Sequence, residues 1–228
     1  LAKQLSSPPE GVALPPQLRI KAGGEQPSQP LPFLELPYFN GLGGFSANGR
    51  EYLIYLGPKA QTPLPWINVM ANAVFGATVS EAGSGTCWYG NSQSNRMVPW
   101  SNDSVSDPAG EAIYIRDEES GVYWTPTPLP VRELDAYRTR HGQGYTETEH
   151  NSHGIEQTLL TYVPVRADGA DPVRVQRLRL KNRSSRRRRL SVTAYTEFVL
   201  GGDRESTQMH VVSSWDEQAR ILTLRNAY

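Results

Sequence analysis

Between Trp66 and Asp107 the chain concentrates side chains suited to a polyhydroxylated ligand. The stretch reads Trp66-Ile-Asn68, Phe75-Gly76, Ser80-Glu-Ala-Gly-Ser-Gly-Thr-Cys-Trp88, Asn91-Ser-Gln-Ser-Asn-Arg96 and Pro99-Trp-Ser-Asn-Asp103, and it holds three of the five tryptophans. Trp offers a flat apolar face with one donor, Asn a donor and an acceptor together, Arg a rigid fork of donors. A core strand has no use for that mixture. A surface that stacks on sugar rings and hydrogen-bonds their hydroxyls does. A glycine-rich loop pinned to its domain by tryptophans would use the same residues, so both readings stand. The binding reading rests on Trp88, Asn91, Asn95, Arg96, Trp100 and Asp103. Arg140 and His141 join them, because Arg140-His-Gly-Gln-Gly-Tyr145 sets a guanidinium and an imidazole beside two glycines that allow close approach. There the alternative is a strand entry whose polar groups are satisfied internally.

Other chemistries find less support. Hydrolysis of a glycoside needs two carboxyl groups about 5–9.5 Å apart across the sugar. Asp103 and Asp107 flank Ser-Val-Ser and read as turn formers, while Asp117, Glu118 and Glu119 read as a solvated hairpin tip. His150 and His153 suggest a metal site, but on a strand-to-turn stretch they are expected to face opposite ways, and no metal is assigned. The run Arg186–Arg189 joins two expected strands and reads as a hairpin shoulder that blocks edge pairing. No nucleophile–histidine–carboxylate order, phosphate loop or nucleotide fingerprint is present.

The elements that must position these groups are short. Glu51–Leu56, Val74–Val79, Glu111–Arg116 and Gly121–Trp124 are β-branched and aromatic runs bounded by turn residues, with a hairpin turn expected at Asp117–Gly121. Gly144–His150, Ile155–Val163, Val173–Leu180, Leu190–Phe198, Met209–Trp215 and Arg220–Leu224 continue the series. A phase shift between Val175 and Leu178 suggests a bulge at Gln176-Arg177. No stretch carries a helical period, so the fold class is all-β, an antiparallel sandwich. Residues 1–33 are rich in Pro, Gly and Gln and read as a linker lying along a body at 34–228. The last strands run into Tyr228 without a closing turn, so the sandwich is expected to be truncated, with an exposed end that favours a homodimer.

Bulk properties agree. With 228 residues and a formal net charge of +0, the chain fits one large all-β unit and lacks the basic excess of a nucleic-acid binder. No apolar run approaches the roughly 18–20 residues of a membrane span, so no membrane contact by this segment is expected. The absence of a leader and of an initiating Met reads as a piece of a longer protein. The single cysteine, Cys87, excludes an internal disulfide and a cysteine-based zinc site.

Together, Leu36-Pro-Tyr-Phe-Asn-Gly-Leu-Gly-Gly-Phe45, Asn48-Gly-Arg-Glu-Tyr-Leu-Ile54, Ser80-Glu-Ala-Gly-Ser-Gly85, Pro99-Trp-Ser-Asn-Asp103, Asp107-Pro-x-Gly-Glu-Ala-Ile-Tyr-Ile-Arg116 and Trp124-x-Pro-Thr-Pro128 form an ordered pattern. It resembles the N-terminal β domain of the cellobiose-phosphorylase family, glycoside hydrolase family 94 (formerly glycosyltransferase family 36). Within that family it is most similar to the phosphorylase-like region of cyclic β-1,2-glucan synthases. The resemblance implies a β-supersandwich of the galactose-mutarotase-like type beside an (α/α) barrel that carries the catalytic acid and phosphate site. It therefore implies no catalytic residue here and no cofactor of the chain's own. The parent reaction would use inorganic phosphate, with UDP-glucose handled in a separate domain. It also implies β-1,2-glucan as a partner and a place on the cytoplasmic side of a bacterial inner membrane, within a larger membrane protein. A free-standing carbohydrate-binding or interaction module remains the alternative.

Overall fold

A computed structural model describes residues 28–101, 103–166 and 171–228. Most of the expected linker, residues 1–27, lies outside the described residues. The strands are β1 (Gly43–Phe45), β2 (Glu51–Leu56), β3 (Ile67–Ala71), β4 (Phe75–Ser80), β5 (Gly85–Tyr89), β6 (Glu111–Asp117) and β7 (Tyr123–Trp124), followed by β8 (Tyr137–Gly142), β9 (Tyr145–Ser152), β10 (Ile155–Tyr162), β11 (Val175–Asn182) and β12 (Leu190–Thr196). A one-turn helix, α1 (Arg204–Thr207), precedes β13 (Val211–Asp216) and β14 (Ile221–Asn226). The architecture is all-β, as expected. A six-stranded sheet in the order β1-β2-β8-β9-β10-β11 is accompanied by sheets β12-β6-β7, β3-β4-β5 and β13-β14. The pairings are antiparallel throughout.

Strict alternation in β9 and β10 buries every second residue. The buried set is unusually polar: Thr146, Thr148, His150 and Ser152 from β9, with Ile155, Gln157, Leu159 and Thr161 from β10. Such a face is tolerable only where its groups are bonded. Trp124 Nε1 donates to Gln157 Oε1 at 2.9 Å, and Gln157 Nε2 donates to Ser152 Oγ at 2.9 Å. Around this network, Ile115, Trp124 and Ile155 with Leu178, Leu180 and Leu190 seat the β12-β6-β7 sheet on the β10-β11 end. Burying one such aromatic contributes about 3 kcal/mol. Met70, Phe75, Ala77, Val79, Cys87, Val98 and Val163 form a second cluster under β3-β4-β5. Ile54, Leu56 and Tyr137 form a third.

Four expectations need correction. β10 and β11 pair in unbroken register from Ile155↔Asn182 to Tyr162↔Val175, so there is no bulge at Gln176-Arg177. The apparent phase shift arises because Val175 lies on one face of β11 while Leu178 and Leu180 lie on the other. His150 and His153 do not diverge. His153 and Gly154 take φ of 53° and 73°, making the two-residue loop between β9 and β10, and the tight reversal returns His153 toward His150. Both Nε2 atoms then meet Glu133, at 2.9 Å from His150 and 2.5 Å from His153. Asp117 is no solvated tip. It is buried, and it accepts from the Glu119 and Ser120 amides and from Arg188 Nη2 at 2.6 Å. Correspondingly, Arg186 and Arg188 are not a free shoulder, since both engage Asp117.

The outer face of the large sheet is charged. Arg138 pairs with Glu149 at 2.6 Å, and Arg140 lies within ion-pair distance of Glu51, Glu147 and Glu149. Where residues 28–33 are described, Asn151 Nδ2 donates to the Gln29 carbonyl and Arg138 Nη1 to that of Pro32.

Candidate functional site

Trp88, expected on a loop, lies in β5, and its indole covers Gly76 on β4. A Cβ at Gly76 would sit 2.2 Å from the ring, so the strand pair needs glycine there. From β5 the chain enters a loop that holds itself. Asn91 Oδ1 accepts from the amides of Gln93 and Ser94 at 2.9 and 2.8 Å, and Asn95 Nδ2 donates to the Tyr89 carbonyl at 3.0 Å. Those amides shape the turn rather than stand free.

Arg96 is the hub. Its backbone bridges both Trp88 and Gly201, exchanging two 3.0 Å hydrogen bonds with Gly201. Its Nε donates to the Ser92 carbonyl at 2.8 Å, and its Nη1 to that of Gly202 at 2.9 Å. The guanidinium carbon stands 5.4 Å from the centre of the Trp100 ring, in cation–π range. Trp100 itself is 52% exposed. Arg96, Trp100 and Ser101 face Asp203, Arg204 and Glu205 across a cleft of about 260 Å³. The residues around 202–205 gave no sequence signal, because they lie about a hundred positions from Arg96.

Asp103 lies on the loop after Trp100. Its carboxylate accepts from the Val105 and Ser106 amides and from the Ser106 hydroxyl, which hold its pKa below the ordinary value. It caps its own turn, as the turn-former reading expected. Arg140 and His141 are not brought to this cleft. They sit on β8 with side chains on opposite faces of the large sheet. His141 is bonded at 2.9 Å to the Trp66 carbonyl and at 3.0 Å to Thr146 Oγ1. Burial lowers the pKa of His141 against the raising effect of that carbonyl. His141 is bonded inside the sheet, whereas Arg140 lies within ion-pair distance of three carboxylates and its Nε is buried without a hydrogen-bond partner.

The sequence reading overlooked Glu81. It is buried inside the Ser80–Gly85 turn, where Oε2 accepts from the Trp66 amide at 2.8 Å and Oε1 from the Thr62 hydroxyl. Burial raises its pKa over the lowering effect of these bonds. With both oxygens held by internal donors, it is not placed as a catalytic acid. Among the described residues no group of three or more His, Cys, Asp and Glu could hold a metal ion.

Residues 50–228 match the family profile of the glycosyl hydrolase 94 supersandwich domain, and the chain belongs to that family. It is 40% identical over 195 residues to the cyclic β-(1,2)-glucan synthase NdvB of Rhizobium meliloti (strain 1021), covering 85% of this chain and 7% of that protein. It is 29% identical over 181 residues to the N,N'-diacetylchitobiose phosphorylase of Vibrio furnissii, covering 77% of this chain and 22% of the enzyme. The solabiose phosphorylase of Paenibacillus borealis is 34% identical over 165 residues, 71% of this chain and 21% of the enzyme. The chain thus spans less than a quarter of each relative.

Proposed function

We propose that this chain is the non-catalytic β domain of a cyclic β-1,2-glucan synthase-like protein, and that it lends a glycan-contacting cleft to an inverting phosphorylase barrel. The observation that carries this is the half-exposed Trp100 ring, backed on one side by Arg96 and bordering a polar cleft. Aromatic rings bind the apolar faces of sugars, and cleft polar groups then select hydroxyls. Of the predicted site residues, Trp100 is the contact, whereas Arg96, Asn91, Asn95 and Asp103 build the loop that presents it. Trp88 supports that loop from β5. In this reading inorganic phosphate and UDP-glucose act elsewhere in the parent protein. The parent would lie at the cytoplasmic face of an inner membrane. No helix among the described residues is long and apolar enough to cross a membrane.

The test is a titration of linear β-1,2-glucans into the 228-residue chain, following Trp fluorescence. Saturable quenching lost in Trp100→Ala supports the reading. Unchanged binding in that variant, or none in the unmutated chain, counts against it. With phosphate present the chain alone should release no glucose 1-phosphate.

A further inference from the structure

A second concavity, of about 100 Å³, is bordered by the loop that also borders the Trp100 cleft, although the two share no lining residue. Ser101 and Pro108 border the Trp100 cleft, whereas Ser104, Ser106 and Asp107 from the same loop border the second one. Its floor is Glu81, and Arg132 lines it as well. Asp107 holds φ at 41°, a left-handed conformation that L residues rarely adopt. Its Oδ2 accepts from Ser80 Oγ at 2.6 Å, and its Oδ1 makes no bond with any described residue. Arg132 is only half satisfied by its own chain. Nη2 reaches the carbonyls of Gly57 and Ala60 at 3.3 and 2.6 Å, while Nε is buried without a partner. A buried unpaired donor is costly and calls for a physical reason. Leu56, Pro65, Pro128 and Leu129 add an apolar side.

We propose that this concavity is a second sugar subsite, distinct from the Trp100 cleft, that takes one sugar residue by its hydroxyl edge. A neutral polyol suits it because each hydroxyl both donates and accepts. Asp107 Oδ1 accepts a hydrogen bond from one hydroxyl, the Arg132 guanidinium donates to a hydroxyl oxygen, and the prolines and leucines face the ring carbons. The shared loop lets a short linear glycan pass from one cleft to the other. That continuity rests on the Trp100 reading; the subsite itself does not.

The experiment is an amide-resolved NMR titration of the ¹⁵N-labelled chain with glucose and with the β-1,2-linked glucose disaccharide. Saturable shifts are expected at the amides of Ala82, Ser106 and Leu129. Asp107→Asn is the first variant, since Asn tolerates the left-handed backbone and still accepts from Ser80. It should raise the dissociation constant about tenfold, which is about 1.4 kcal/mol. Ser104→Trp, on an exposed loop, should close the mouth and abolish the shifts. In Trp100→Ala the three amides should still respond, even if quenching is lost. Silence at these amides in the unmutated chain, unaltered affinity in both Asp107→Asn and Ser104→Trp, or loss of both responses in Trp100→Ala overturns the proposal.

Discussion

Arg96 and Trp100 are locked together: the guanidinium that backs the indole is itself tied to the carbonyls of Ser92 and Gly202. Removing either residue should therefore have different consequences. Trp100→Ala deletes an exposed ring and should change stability by less than about 0.5 kcal/mol, as surface substitutions do, while weakening glucan binding. Arg96→Ala breaks two side-chain hydrogen bonds, one to Ser92 within the loop and one that anchors the loop to Gly202, and should cost about 1–3 kcal/mol. Chemical denaturation of both variants beside their glucan titrations separates the presenting residue from the contacting one. Equal destabilisation by both would mean that Trp100 is a loop anchor.

Gly76→Ala tests the β4–β5 packing. Its Cβ would come 2.2 Å from a carbon of the Trp88 ring, and the neighbouring ring atoms lie within 2.8 Å, so the indole must swing away or the strands part. Overpacking of this kind costs about 1–3 kcal/mol. Pairing it with Trp88→Ala should recover part of that cost, because the small residue leaves room for the methyl. A double variant no more stable than the worse single one would show that something other than the ring limits position 76.

The class of fold was legible, the site only in part. Glu51–Leu56 is found as read, and Ile155–Val163 and Glu111–Arg116 to within a residue, since alternation and β-branching mark them. β3 and β5 were missed because Ile67–Ala71 and Gly85–Tyr89 mix Asn, Gly, Thr and Cys without a clean period. Their pattern makes sense only when Met70, Ala77 and Cys87 line up across three strands. The charge runs misled for a related reason. Asp117 and Arg188 lie 71 positions apart, so each looks solvated until β6 and β12 pair and bring the two runs together. The cleft around Trp100 was half visible for the same cause: Arg96 and Trp100 are neighbours in sequence, but Asp203–Glu205 are not.

That ion cluster gives a stability prediction. The side chains of Asp117 and Arg188 are 2% and 6% exposed, so removing the carboxylate leaves a buried guanidinium without its counter-charge. Asp117→Ala should destabilise by about 3–5 kcal/mol. Arg186→Ala should cost about 1 kcal/mol or less, because Arg186 is 40% exposed and solvent screens its pairing. Urea midpoints of the two variants check the contrast, and comparable losses would show that burial does not set the energetics here.

The Glu133 bridge makes stability depend on acid. Burial works to raise this carboxyl, but hydrogen bonds from His150 and His153 prevail and bring its pKa from 4.5 down to about 2. A carboxyl whose pKa falls on folding contributes stability that is fully present above its unfolded value and fades as pH drops toward the folded one. The window for this group therefore runs from about pH 4.5 down to about 2. Glu133→Gln keeps the shape and removes the charge, so it should be less stable than the unmutated chain near neutral pH. That gap should narrow as the pH falls through the window. Urea unfolding of both proteins at a series of pH values reads the gap directly. A gap that stays constant through the window, or widens, would mean that the two histidines do not stabilise the ionised carboxylate.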